Sequence, residues 1–181
     1  MTNYMVEPKS RCDLRDLANL LREKLGLQNC LYFPIVEILD VFTEVFSPKF
    51  NYEIVDDNEL PENTHADTDI LSGLIRIKES VYNGACEGKG RDRMTIAHEL
   101  GHFFTLCLCD FKLRRNFKPE ECPPYRDPEW QAKCFAGELL VPAHLVKNLS
   151  SRQIAKQCGV SVDAAKIQYN HIHESGDENC L

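Results

Sequence analysis

The chain has 181 residues, 43 % of them hydrophobic, which is enough for one domain with a core and too few for two full-sized domains. Its formal net charge of -7 argues against extensive contact with nucleic acid or an anionic membrane, because phosphate binding needs clustered lysine and arginine. There is no apolar run of about 18 residues and no secretory signal layout at the N-terminus, so we expect a cytoplasmic protein that does not enter a membrane.

Two amphipathic helices are predicted near the N-terminus. Apolar residues recur on one helical face from Asp13 to Leu25, and Gly26 follows where a helix would end. A second helix begins at Pro34, since proline suits a first helical turn, and it also carries an apolar face. Both helices should pack against the core.

A small antiparallel sheet is predicted next. Asn51–Val55 and Leu74–Lys78 are short and rich in tyrosine and isoleucine, whereas the polar segment between them has no helical period. The segment NGACEGKGRDR (83–93) contains three glycines and is predicted to be a loop. It leads into a helix that should run from about Arg91 to Leu108.

That helix contains the pentapeptide HELGH (98–102). Residues four apart share a helical face, so His98 and His102 can direct imidazole nitrogens at one metal ion from about 2.0 to 2.1 Å. Glu99 lies about 100° further round the helix, where its carboxylate can reach a water beside the metal and act as general base. Gly101 costs about 1 kcal/mol of helix propensity relative to alanine, so we expect another backbone to approach closely there.

The downstream region is predicted to be mostly helical. A helix from Glu129 to Leu140 ends before Pro142, and two short helices joined at Gly159 follow. We expect residues 1–146 to form the main domain, 147–173 a helical extension of the same unit, and 174–181 a polar tail.

A catalytic zinc site usually has a third protein ligand, and several downstream residues can supply it. His144, His171 and His173 are candidates. Glu129 is better placed, because its helix carries an apolar face that can pack on the HELGH helix.

The two motifs together resemble a known family. MTIAHELGHFF (94–104), followed after a polar spacer by E-x-x-A-x-x-F-A-x-x-L-L-x-P (129–142), is similar to the signature of the ImmA/IrrE metallopeptidases. The resemblance implies a compact α+β fold of the zincin type, in which His98, His102 and Glu129 hold Zn²⁺ and Glu99 is the catalytic base. It also implies site-specific cleavage of a helix-turn-helix transcriptional repressor, as an anti-repressor in a mobile element or a stress response.

We therefore expect a zinc-dependent endopeptidase that acts on a protein substrate, with Tyr125 and His144 as candidates for stabilising the oxyanion. The alternative is a DNA-binding or protein-binding regulator with a metal site and no useful turnover. Residues 147–173 resemble a helix-turn-helix pair and contain four Lys/Arg and one Asp. Only Lys166 falls in the would-be recognition helix, so packing or substrate docking is favoured over direct DNA binding.

The nine cysteines are odd in number and include no CxxC pair, so we predict free thiols in a reducing compartment. Cys107 and Cys109 lie close behind His102. A one-residue gap is unusual for zinc ligands, and apolar neighbours suit buried thiols. Both are predicted to be packing residues.

Overall fold

The computed structural model of the protein describes residues 4–46, 48–107, 114–115 and 122–174. Within these ranges the chain combines eight α-helices with a three-stranded and a two-stranded sheet, so the predicted α+β class is confirmed. The helices are α1 (Arg11–Lys24), α2 (Glu37–Val45), α3 (Glu79–Cys86), α4 (Gly90–His102), α5 (Pro128–Leu140), α6 (Ala143–Val146), α7 (Ser151–Cys158) and α8 (Val162–Glu174). The strands are β1 (Tyr4–Met5), β2 (Asn51–Val55), β3 (Ala66–Asp69), β4 (Leu74–Lys78) and β5 (Arg114–Arg115). None of the described helices is long and apolar enough to cross a membrane.

The first two helices follow the amphipathic pattern, with shifted ends. The Ser10 hydroxyl accepts a hydrogen bond from Asp13 N, and the Asp13 carboxylate accepts one from Ser10 N. This reciprocal cap starts α1 two residues before the predicted Asp13. The apolar face of α1 is buried against α5. α2 begins at Glu37 rather than Pro34, because the chain first makes a turn at residues 35–36.

The three-stranded sheet differs from the prediction. Its strand order is β2-β4-β3, in which β4 pairs in parallel with β2 and antiparallel with β3. The predicted antiparallel pairing of Asn51–Val55 with Leu74–Lys78 is therefore wrong. β3 arises within the polar segment and returns to β4 through a turn at Gly73, whose φ is +72°. Only Ala66 of this edge strand is buried, so the strand lacks the alternation of apolar and polar residues that predicts a strand from sequence.

Helix α3 occupies part of the segment predicted to be a loop. Gly84 lies inside it, where a Cβ would meet the end of the Asp92 side chain on α4, which can move aside. This glycine therefore lies within a helix rather than at a chain reversal. α4 ends at His102, and the predicted continuation toward Leu108 is a π-helix over Phe103–Cys107.

An aromatic cluster packs beneath the C-terminal end of α4. Its rings meet edge to face, with centroids 4.8 to 6.0 Å apart. Such contacts add to the stability gained from burying the rings. The members are Phe42, Phe46, Phe50, Phe103 and Phe104. They fix the end of the helix that carries HELGH.

The C-terminal helices confirm the predicted pair joined at Gly159. That glycine is left-handed, with φ +65°, and ends α7. Arg93 of α4 is buried and donates to the Gly159 carbonyl at 2.9 Å and the Phe33 carbonyl at 2.8 Å. The α7–α8 pair is thus tied to the HELGH helix. Apart from Glu174, which ends α8, the predicted tail lies outside the described residues.

The prediction that all the cysteines are free thiols is wrong, because Cys12 is disulfide-bonded. Six others in the described part of the chain are free, and burial raises the pKa of Cys134 to about 12 and that of Cys107 to about 11. A thiol with a raised pKa stays protonated at neutral pH and is therefore unreactive, as expected for a packing residue. Cys109 lies outside the described residues.

Candidate metal centre

Two helices bring three potential metal ligands together. His98 and His102 lie one turn apart on α4, and Glu129 lies in the first turn of α5. Pro128 starts α5, and the Asp127 carboxylate caps it by accepting a hydrogen bond from Glu129 N at 3.0 Å. Because α5 packs along α4, these local signals place Glu129 opposite the histidines. One donor atom from each of the three lies within 4.8 Å of the others.

The spacing of these donor atoms fits a tetrahedral metal ion. The two Nε2 atoms are 3.1 Å apart, and they lie 3.4 Å (His98) and 3.3 Å (His102) from the Glu129 carboxylate oxygens. A tetrahedral ion with bonds of about 2.0 to 2.1 Å requires donors about 3.3 Å apart. The three residues could therefore bind a metal ion with little rearrangement.

The ionisation state of Glu129 also favours metal binding. Hydrogen bonds with His102 and then His98 hold the pKa of the Glu129 carboxyl well below its usual range, against the opposing effect of burial. Glu129 is thus ionised at neutral pH. Two imidazoles and one ionised carboxylate form a donor set found in catalytic zinc sites, which leave a fourth position open.

Gly101 explains how the two helices come close enough. A Cβ on Gly101 would lie 2.8 Å from both the Cα and the carbonyl oxygen of Ala132 on α5. Both helix backbones therefore meet within one turn of His102 and Glu129. The predicted close approach at this glycine is confirmed.

Glu99 lies beside the ligands and is held by a residue that the sequence did not indicate. It is buried, with 7 % of its surface exposed, and its Oε2 accepts a hydrogen bond of 2.7 Å from the Thr68 hydroxyl. Thr68 belongs to the edge strand β3, 31 positions before Glu99. No local pattern predicts this contact, because it depends on the packing of β3 against α4.

The ligands and Glu99 line one open cleft of about 460 Å³. Its opposite wall consists of β3 and the residues that lead into it, from Asn63 to Thr68. β3 pairs with β4 on one side, and among the described residues no strand pairs with its other side. The cleft therefore places an exposed strand edge beside Glu99.

The other candidate residues lie elsewhere. His144 contacts the Gln28 carbonyl at 3.0 Å and Tyr125 is half exposed, and neither lines the cleft. His173 contacts backbone carbonyls of Tyr169 and Lys147. His171 is not grouped with the three donors. Of the possible third ligands named from sequence, the structure brings only Glu129 to the histidines.

Comparison with known proteins gives a likeness of fold. No protein-family model matches the sequence, and no curated protein matches it. A solved structure described as a Mycobacterium tuberculosis transcriptional regulator is similar, with a TM-score of 0.58 and 15 % sequence identity. The similarity covers 87 % of this chain and 46 % of the regulator, so this chain spans about half the length of that protein. At this identity the comparison shows that the two chains share a fold.

Proposed function

We propose that the protein is a zinc-dependent endopeptidase of the ImmA/IrrE type, with His98, His102 and Glu129 as zinc ligands and Glu99 as the catalytic base. The observation that carries this proposal is the joint arrangement of the four side chains. Three donors have the separations of a tetrahedral site, and a buried carboxylate lies next to them in an open cleft. A site that only stabilised the fold would be closed by a fourth protein ligand.

Each residue has a defined part in peptide hydrolysis. Zinc at this site would lower the pKa of a water from 15.7 toward about 7 and polarise the scissile carbonyl. Glu99 accepts the proton of the attacking water and returns it to the leaving amine. The Thr68 hydrogen bond to Oε2 fixes the carboxylate and leaves Oε1 to handle the proton. Glu129 contributes negative charge and keeps the histidines at their present spacing.

The edge of β3 suits an extended peptide. A chain that adds to a strand edge gains backbone hydrogen bonds whatever its sequence. Here such a chain would pass directly over the Thr68–Glu99 pair and the ligands. Binding of this kind would use the backbone on both sides of the scissile bond, which favours an internal peptide bond as the substrate.

We propose a helix-turn-helix repressor as the substrate. This step rests on the resemblance of MTIAHELGHFF and the second motif to the ImmA/IrrE signature. The net charge of -7 also favours encounter with a basic DNA-binding protein. A cytoplasmic location belongs to the same proposal.

The second candidate is a metal-containing regulator without turnover, which binds DNA or a protein. It is favoured by the helix-turn-helix-like α7–α8 pair and by the regulator with a similar fold. It is weakened by the charge on α8, where Lys166 lies 3.9 Å from Asp163. The negative charge of Asp163 beside this lysine opposes binding of DNA phosphates.

The test compares the wild-type protein with Glu99→Gln, which preserves shape and cannot accept a proton. Zinc-loaded protein is mixed with each helix-turn-helix protein encoded in the genes that flank its own and, separately, with unfolded casein, and fragments are followed by mass spectrometry. We expect one cut in the repressor that is absent with Glu99→Gln, although both proteins hold equal zinc. Glu44→Gln, on the exposed side of α2, is the matched control and should cleave normally. An intact repressor that the protein binds without cutting would support the second candidate.

A further inference from the structure

A second cavity, of about 340 Å³, lies between α4, α5 and α8. His98 lines both this cavity and the metal cleft. Met94, one turn before His98, and Trp130, directly after Glu129, line it as well. The cavity therefore lies next to the metal cleft, and His98 is the residue that the two share.

The walls of this cavity are mainly apolar. Besides Met94 and Trp130, they include Ala136 on α5 and Ala164 and Ile167 on α8. Ile167 is 59 % exposed, so its apolar side chain is open to contact with an occupant of the cavity.

The buried polar groups at the cavity are already bound to one another. Gln168 is buried, and its Oε1 accepts a hydrogen bond of 3.2 Å from Arg11 Nη1. The same Arg11 atom donates to Glu138 at 2.7 Å. Glu138 also accepts a hydrogen bond of 2.9 Å from Arg15 Nε, so Arg11 belongs to a buried polar cluster at one end of the cavity. Lys133 is exposed and lies at the rim. An apolar occupant fits this lining better than an anionic one.

We propose that this cavity binds an apolar side chain of the substrate, of leucine to phenylalanine size, next to the bond that is cut. The proposal rests on the proposed peptidase function. A volume of about 340 Å³ is at the small end for ligand pockets, which range from about 300 to 1,000 Å³. It suits one side chain rather than a larger molecule. In such a pocket, one extra or missing methylene group on the substrate changes kcat/KM by about tenfold or more.

This assignment gives the α7–α8 pair a role. α8 supplies Ala164, Ile167 and Gln168 to the cavity, and Arg93 anchors the pair to α4. The helix that resembles a recognition helix thus forms one wall of a substrate subsite. Ile167, one of its exposed apolar residues, lines the cavity.

The experiment uses two β-branched residues of α8 that are exposed to a similar degree. Ile167→Glu places a charge in the cavity wall. Val162→Glu, at a position that is 48 % exposed and does not line the cavity, is the control. Thermal unfolding followed by circular dichroism checks that both variants fold. Zinc-loaded proteins are then given a degenerate peptide library, and the cleaved bonds are sequenced.

A second readout needs no catalysis. Trp130 is the protein's one tryptophan and lines the cavity, so its fluorescence reports the occupant. Each protein is titrated with N-acetyl-leucinamide and with N-acetyl-aspartamide. We expect a saturable change with the leucine compound in wild type and Val162→Glu, and at least a tenfold weaker response in Ile167→Glu. The aspartate compound should give no saturable change.

The outcomes separate the two proposals. An apolar preference at one substrate position that falls about tenfold in Ile167→Glu alone supports the subsite. Cleavage with no apolar preference, or with a preference that Ile167→Glu leaves unchanged, overturns it. If neither the library nor the repressor is cut but the leucine compound binds as expected, the apolar site stands and the peptidase function fails. If neither the library nor the repressor is cut and Trp130 does not respond, both proposals are wrong.

Discussion

Replacing Gly101 with alanine should push the two ligand-bearing helices apart. The new Cβ would lie 2.8 Å from two backbone atoms of Ala132, whereas ordinary contact begins at 3.4 Å. Because neither backbone can rotate away, α4 and α5 must separate by roughly 0.6 Å to restore normal carbon contact distances. His102 directly follows Gly101, and Glu129 lies one turn before Ala132, so the movement acts on the site itself.

The expected cost follows from two opposing effects. Overpacking costs about 1 to 3 kcal/mol, and a rigid backbone neighbour places this case near the upper end. Alanine also stabilises the helix by about 1 kcal/mol relative to glycine, because of its higher helix propensity. The net loss of about 2 kcal/mol should lower Tm by about 4 to 8 °C in a chain of this size. Zinc affinity should fall roughly tenfold or more, as it does when groups that orient ligands are disturbed.

The assay is thermal unfolding of metal-free protein, followed by competition with a chelator for zinc. Gly84→Ala is the matched control, since this helical glycine faces the Asp92 carboxylate, which can swing toward solvent. It should be close to wild type in both measurements. If Gly101→Ala equalled wild type in stability and in zinc affinity, close contact at Gly101 would not be what holds Glu129 against the histidines.

Three further outcomes follow. Glu129→Ala should reduce bound zinc from about one per chain to nearly none by elemental analysis, and unchanged zinc would assign the third ligand elsewhere. Thr68→Val should lower kcat about tenfold at constant zinc content, because it removes a hydrogen bond to a charged group worth about 1.5 to 3 kcal/mol, whereas Thr68→Ser should retain activity. Exposed Cys86 should react with iodoacetamide in the folded protein, while buried Cys134, whose pKa burial raises to about 12, should react only after unfolding. Equal rates for the two thiols, measured by peptide mapping, would contradict the packing role of Cys134.

Local sequence determined most of the helices and three of the residues that meet at the site. His98 and His102 share a face because they are four apart, and this relation needs no tertiary contact. The cap at Asp127 and the proline at 128 start α5 at the right residue for Glu129 to lie in its first turn. The cost of a helical glycine already indicated close backbone contact at Gly101.

The tertiary structure alone decided the sheet and the setting of Glu99. β3 is a polar edge strand whose pairing with β4 depends on contacts outside its own sequence, so periodicity did not reveal it. Because the chain passes through β3 between β2 and β4, it reverses direction twice, and β4 pairs in parallel with β2. β3 also brings Thr68 into contact with Glu99. The cavity beside Trp130 likewise exists only where α8 crosses α5. Helix signals depend on neighbours within one turn, whereas strand partners and pockets depend on residues far apart in the chain.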